Sequence, residues 1–237
     1  MDKRIKRGFI INGVLGVAIV IAALLFMLLH KTVSSYIVKT IPSILFVLVG
    51  LFNYIYCTKV LNNSENKKYS LILLCGLFFA MLGDIFLIDF FEIGAILFAV
   101  GHILFFVAFC FVSKLNLRDA MIGLLIFGLA LLFIWLYPYF EFQGMGALIV
   151  VYAFIISFML GKAISNLIAS RKSLFRSLIL FGAGLFFFSD LMLLLFKFAH
   201  QKIVFDWLCV MTYYPAEFLL GFSIFISCLP ISKKNEN

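Results

Sequence analysis

Three acidic residues of this chain stand where acids are costly. Asp84, Asp190 and Glu217 each lie inside a long apolar run. A charged side chain within hydrocarbon needs a partner, a proton or water. Lys39 and His102, also within apolar surroundings, are the candidate partners. Ser189 precedes Asp190, and Tyr213-Tyr214-Pro215 precedes Glu217 by one residue, adding a hydroxyl, two phenols and a proline. Pro215 lacks an amide hydrogen, so a helix carrying it leaves a carbonyl one turn earlier in need of another partner. Burial favours the neutral form of a carboxyl, and a nearby cation favours the ionised form. Two carboxyls in different surroundings can therefore divide into an acid and a base. Such a pair can hydrolyse a bond through an oxocarbenium-like state, or it can relay protons in a transporter. Composition and spacing leave both open.

Metal chemistry has little to work with. The five cysteines are scattered, no C-x-x-C pair occurs, and the histidines are His30, His102 and His200 alone. Neither a metal site nor a disulfide framework is expected, and the cysteines read as small packing residues.

The elements that position these residues are set by composition. Of 237 residues, 65% are hydrophobic and 13% are charged, against about half and a quarter in soluble domains. A spanning helix takes roughly 20 apolar residues. Eight apolar segments run over about 9–29, 37–57, 70–88, 93–112, 119–137, 144–161, 174–196 and 204–229. Unpaired backbone is not tolerated in lipid, so these runs are predicted to be helices, and the alternation of a membrane β-barrel is absent. The expectation is an all-α polytopic membrane protein, with 1–237 a single membrane domain. The first run is long for a signal peptide and no small-residue cleavage site follows it, so it reads as a retained span.

A net charge of +8 suggests nucleic acid, but the bases cluster between spans, as in membrane topology. With a cytoplasmic N-terminus, only Lys31, Lys39, Lys197 and Lys202 of the 19 lysines and arginines fall outside or near the outer face. Both termini are thus expected in the cytoplasm. At about 1.5 Å per residue, Lys39, Asp84, His102, Asp190 and Glu217 fall in one layer between the mid-plane and the outer face. Asp89, Glu92, Glu141 and Asp206 read as loop acids. Gly76-Leu77-Phe78-Phe79 with Gly83-Asp84 in span three is loosely matched by Gly184-Leu185-Phe186-Phe187 with Ser189-Asp190 in span seven. That match would fit two parallel four-helix halves.

Several pieces together resemble the YhhN-type lysoplasmalogenase family of eight-span membrane enzymes. They are Lys39-Thr40-Ile41-Pro42, Leu82-Gly83-Asp84, Phe98-Ala99-Val100-Gly101-His102, Gly182 to Asp190, and Thr212-Tyr213-Tyr214-Pro215-Ala216-Glu217. Two positions depart from the family's pattern: Glu217 stands where the family usually has Gln, and Pro215 replaces a small residue. The resemblance implies hydrolysis of the vinyl ether of lysoplasmalogens to a fatty aldehyde and a glycerophospho-amine, with no metal or organic cofactor. Asp84 and Asp190 would be the catalytic pair. Lys39, His102, Ser189, Tyr213, Tyr214 and Glu217 would line the substrate site, with Lys39 and the tyrosines near the phosphate. The implied partners are a lysophospholipid and membrane lipids, not nucleic acid. The absence of a targeting extension suits a bacterial inner membrane. Two other classes remain: a proton-coupled transporter of a small amphiphile, which would need the proton gradient and release no product, and a scaffold whose acids serve folding alone.

Overall fold

The computed structural model describes residues 2–29, 35–170, 173–200 and 202–229. His30, Lys31, Arg171, Lys172, Lys233 and Lys234, which enter the sequence argument on composition or orientation, lie outside the described residues, as does the side chain of His200. The helices are α1 (Lys3–Leu29), α2 (Ser35–Ile55), α3 (Lys67–Phe86), α4 (Phe91–Cys110), α5 (Leu117–Leu136), α6 (Gly146–Ala169), α7 (Leu174–Leu195) and α8 (Ile203–Ser227). A π-helical turn extends α2 over Tyr56–Val60 and another extends α7 over Phe196–His200. Among the described residues, eight helices are long and apolar enough to cross a membrane. The chain is all-α and polytopic, as expected. α8 passes through Pro215 and α2 through Pro42 without interruption.

The packing repeats four helices apart. α3 pairs with α4 and α7 with α8; α2 lies on α3 and α6 on α7; α8 reaches back to α2 as α4 reaches to α6. This is the arrangement that two parallel halves require. The repeat fails in one place. α1 covers both α2 and α8, whereas α5 packs substantially only on α6.

Close approach rests on small residues, because lipid supplies no hydrophobic force to press helices together. A Cβ on Gly161 of α6 would lie 2.7 Å from the backbone nitrogen of Gly123 on α5. Gly76 of α3 and Gly101 of α4 meet similarly, with the Phe105 ring filling the space beside Gly76. Buried polar pairs add register. Asn12 of α1 and Asn53 of α2 exchange amide hydrogen bonds of 2.8 Å, and Asn53 also donates to the Gly221 carbonyl of α8. Such bonds average only about 0.6 kcal/mol in a membrane bundle, so packing carries most of the association.

Two expectations are corrected here. Lys162, one residue beyond the expected end of the sixth span at 161, belongs to α6: it is fully buried, with Nζ 2.7 Å from Asp119 Oδ2 and further bonds to Ser113 and the Lys114 carbonyl. The helix runs past the end of its apolar stretch because this partner set neutralises the lysine. Cys57 and Cys228 form a disulfide, so these two are not lone packing residues. Their separation of 171 residues carries no local signal; the fold brings the ends of α2 and α8 together, with Cα atoms 6.0 Å apart.

The glycine contact between α5 and α6 can be tested. Overpacking a close contact costs about 1–3 kcal/mol. Gly161→Leu is expected to destabilise the fold by that order and so lower the thermal unfolding midpoint in detergent, whereas Gly128→Leu, on a part of α5 with nothing within 4 Å, is expected to leave it unchanged.

Candidate active site

Asp84 leaves the last turn of α3 and is held by α2 and α8. Its Oδ2 accepts from the Ser43 hydroxyl at 2.6 Å and from the Tyr213 phenol at 2.8 Å. Lys39 Nζ lies 3.6 Å from Oδ1. Lys39 and Ser43 are four residues apart, so one face of α2 carries both. The Tyr214 hydroxyl donates to the Lys39 carbonyl at 3.4 Å, fixing the start of α2 against α8.

Asp190 occupies the matching place on α7 and is held by the matching helices, α6 and α4. Its Oδ2 accepts from the Tyr152 hydroxyl at 2.6 Å. His102 Nε2 lies 3.0 Å from the same oxygen and 2.9 Å from the Tyr152 hydroxyl, closing a triangle. His102 is fully buried, and its Nδ1 has no hydrogen-bond partner among the described residues. The Phe186 ring separates the two carboxyl clusters. Its centroid is 4.5 Å from that of His102 and 5.2 Å from that of Tyr213.

Two cavities meet at this place. One, of about 60 Å³, is lined by Lys39, Asp84, Ser189, Asp190, Asp206, Cys209, Tyr213 and Tyr214, with Phe26, Leu87, Phe98, Leu193 and Val210. The other, of about 370 Å³, lies among α4, α5, α6 and α7 and is apolar apart from Tyr152 and Asp190. Leu87, Phe98, Asp190 and Leu193 belong to both walls. The Asp190 side chain keeps 13% of its surface exposed, against 3% for Asp84. One carboxyl thus faces both a polar and an apolar compartment.

The structure brings Lys39, Asp84, Ser189, Asp190, Tyr213 and Tyr214 to one cavity wall. It places His102 behind Asp190, lining neither cavity. Glu217 also lines neither; it is fully buried, and neither carboxyl oxygen has a hydrogen-bond partner among the described residues. Three residues were missed. Ser43 was legible as the residue one turn after Lys39. Asp206 sits in the first turn of α8 and lines the polar cavity, so it is not a loop acid. Its register with Val210, Tyr213 and Glu217, at helical spacings of four, three and four, was the available signal. Tyr152 gave only a lone phenol in an apolar span. Among the described residues no group of three or more metal-binding side chains occurs.

The unpartnered Glu217 predicts a stability effect. A buried polar group without a hydrogen bond costs about 1–3 kcal/mol. Glu217→Met, similar in shape and without that cost, is expected to raise the unfolding midpoint in detergent; a lower midpoint would mean that the carboxyl has a stabilising partner in the membrane.

Residues 34–224 match the model of the YhhN family. The chain is also similar to lysoplasmalogenase TMEM86A of Bos taurus, with 34% identity over 163 residues. That match spans 66% of this chain and 66% of the relative, just under two thirds of each. No solved structure matches the chain.

Proposed function

Because the chain belongs to the YhhN family, we propose that it hydrolyses the vinyl ether bond of lysoplasmalogens, releasing a fatty aldehyde and a glycerophospho-amine. The name of its bovine relative supports this substrate class. The observation that carries the reading is the placement of Asp190, on the wall between a polar and an apolar compartment, with Asp84 on the polar side alone.

The chemistry of an enol ether assigns the roles. The carbon to be protonated is the vinyl carbon away from oxygen, which is the one nearer the hydrocarbon chain. The carbon attacked by water bears the oxygen and lies nearer the glycerol. The acid therefore belongs on the apolar side and the base on the polar side. Asp190 gives its proton to the outer vinyl carbon, and the cation that forms is shared between carbon and oxygen. The carboxylates on either side stabilise that charge. Asp84, held by Lys39, Ser43 and Tyr213, takes a proton from the water that adds to the oxygen-bearing carbon. As the hemiacetal collapses, its hydroxyl proton returns to Asp190 and Asp84 delivers its proton to the departing glycerol oxygen. One water is consumed and both carboxyls regain their starting states. His102 and Tyr152 hold the Asp190 carboxyl in place. Lys39, at the mouth of α2, supplies positive charge for the phosphate. The orientation read from the basic residues would open this site on the outer side of a bacterial inner membrane.

General acid or base catalysis contributes about 10²–10⁴-fold. In purified protein given a lysoplasmalogen, Asp84→Asn and Asp190→Asn are each expected to lower kcat for aldehyde release by at least about 10², with unchanged unfolding midpoints. Full turnover in either variant would remove that residue from the chemistry. A folded wild type that releases no aldehyde with either choline or ethanolamine head groups would shift the reading to proton-coupled transport.

A further inference from the structure

The large cavity has no role in the acid–base chemistry itself, and its position in the fold asks for one. In the first half of the bundle α1 closes over α8; in the second half the equivalent closure of α5 over α4 is lacking, and the cavity of about 370 Å³ fills the gap. The small polar cavity adjoins it across Asp190 and is walled mainly by α8 and α7, with Asp84 of α3 and Lys39 of α2. The two adjoining spaces are of opposite character and share Asp190. The apolar one is lined on α5 from Ile126 to Ile134, a rise of about 12 Å along the helix. Three small side chains, Ala95, Ala130 and Ala153, leave its width open.

Resting on the reading of the chain as a lysoplasmalogen hydrolase, we propose that this cavity is the seat of the substrate's hydrocarbon chain, reached from the lipid between α4 and α5. The glycerophosphate then occupies the polar cavity beside Lys39, and the amphiphile crosses the common wall at Asp190. Several observations point to this occupant. The lining is almost wholly apolar, it follows α5 for about 12 Å, and among the described residues its one carboxyl is shared with the polar cavity. An amphiphile with one chain and one polar head matches two joined spaces of which one is apolar and the other polar. Ala130, on α5, which belongs to neither carboxyl cluster, becomes a determinant of chain length. A larger side chain there takes up room in the seat from a helix that supplies no partner to Asp84 or Asp190.

Two measurements test this together. In the first, aldehyde release is followed with a long-chain and a short-chain 1-alkenyl lysophosphoethanolamine. Ala130→Phe is expected to lower kcat/KM for the long chain by about tenfold or more while leaving the short chain within about twofold, and Gly128→Phe on the same helix changes neither. Equal effects of Ala130→Phe on both chain lengths overturn the proposal. The second needs no turnover. A saturated 1-O-alkyl lysophosphoethanolamine with a diazirine near its chain terminus is bound to wild-type protein, photolysed, and the labelled residues are found by mass spectrometry. Label on the cavity face of α5 and α6 that excess unlabelled lysolipid displaces supports the proposal; displaceable label on α1 or α2, or label that is not displaced, overturns it. Displaceable label in the cavity without aldehyde release would sink the hydrolase reading and keep the chain seat, whereas aldehyde release with label elsewhere would do the reverse.

Discussion

An acid inside a membrane bundle must be met by polar groups from other helices, and much of this structure follows from that requirement. Asp84 and Asp190 each draw on two further helices, so six of the eight helices converge on two carboxylates. The apolar packing between helices is comparatively unselective, because hydrocarbon outside the bundle is as accommodating as hydrocarbon within it. The hydrogen bonds at these two places fix which helices meet and at what height. Phe186, in edge contact with both His102 and Tyr213, then sets the spacing between the clusters.

The likeness of the two clusters makes their differences informative. Each has an aspartate on the third helix of its half and draws on the second helix of that half. Each is completed by the fourth helix of the other half. Around Asp84 the partners include a lysine beside a small polar space. Around Asp190 they are a histidine and a phenol at the edge of a large apolar one. An amphiphilic substrate calls for such a division, with one functional group handled from its polar side and one from its oily side.

Much of this was legible in the sequence, for stated reasons. The spans were readable because hydrocarbon thickness demands long apolar runs, and α6 outran its predicted end only because Asp119 neutralises Lys162. Asp84 and Asp190 stood out as acids without local partners, and Lys39, His102 and Glu217 as the groups at matching depth. What stayed hidden is what depends on rotation about a helix axis or on distant pairing. Depth along a span can be counted, but whether Glu217 faces the cavity or the packed interior cannot, and it faces the interior. Tyr152 gained its meaning only when α6 was set against α7, and the Cys57–Cys228 pair only when α8 returned to α2.

The order of the partners along the chain bears on how such a protein enters its bilayer. Lys39 and Ser43 precede Asp84, and His102 and Tyr152 precede Asp190. During synthesis each aspartate therefore arrives after side chains able to receive it, already carried in by an earlier helix. Tyr213, which also binds Asp84, follows 129 residues later and joins a carboxyl that is already accompanied. The arrangement that equips the mature site also spares the growing chain from presenting a solitary aspartate to the hydrocarbon.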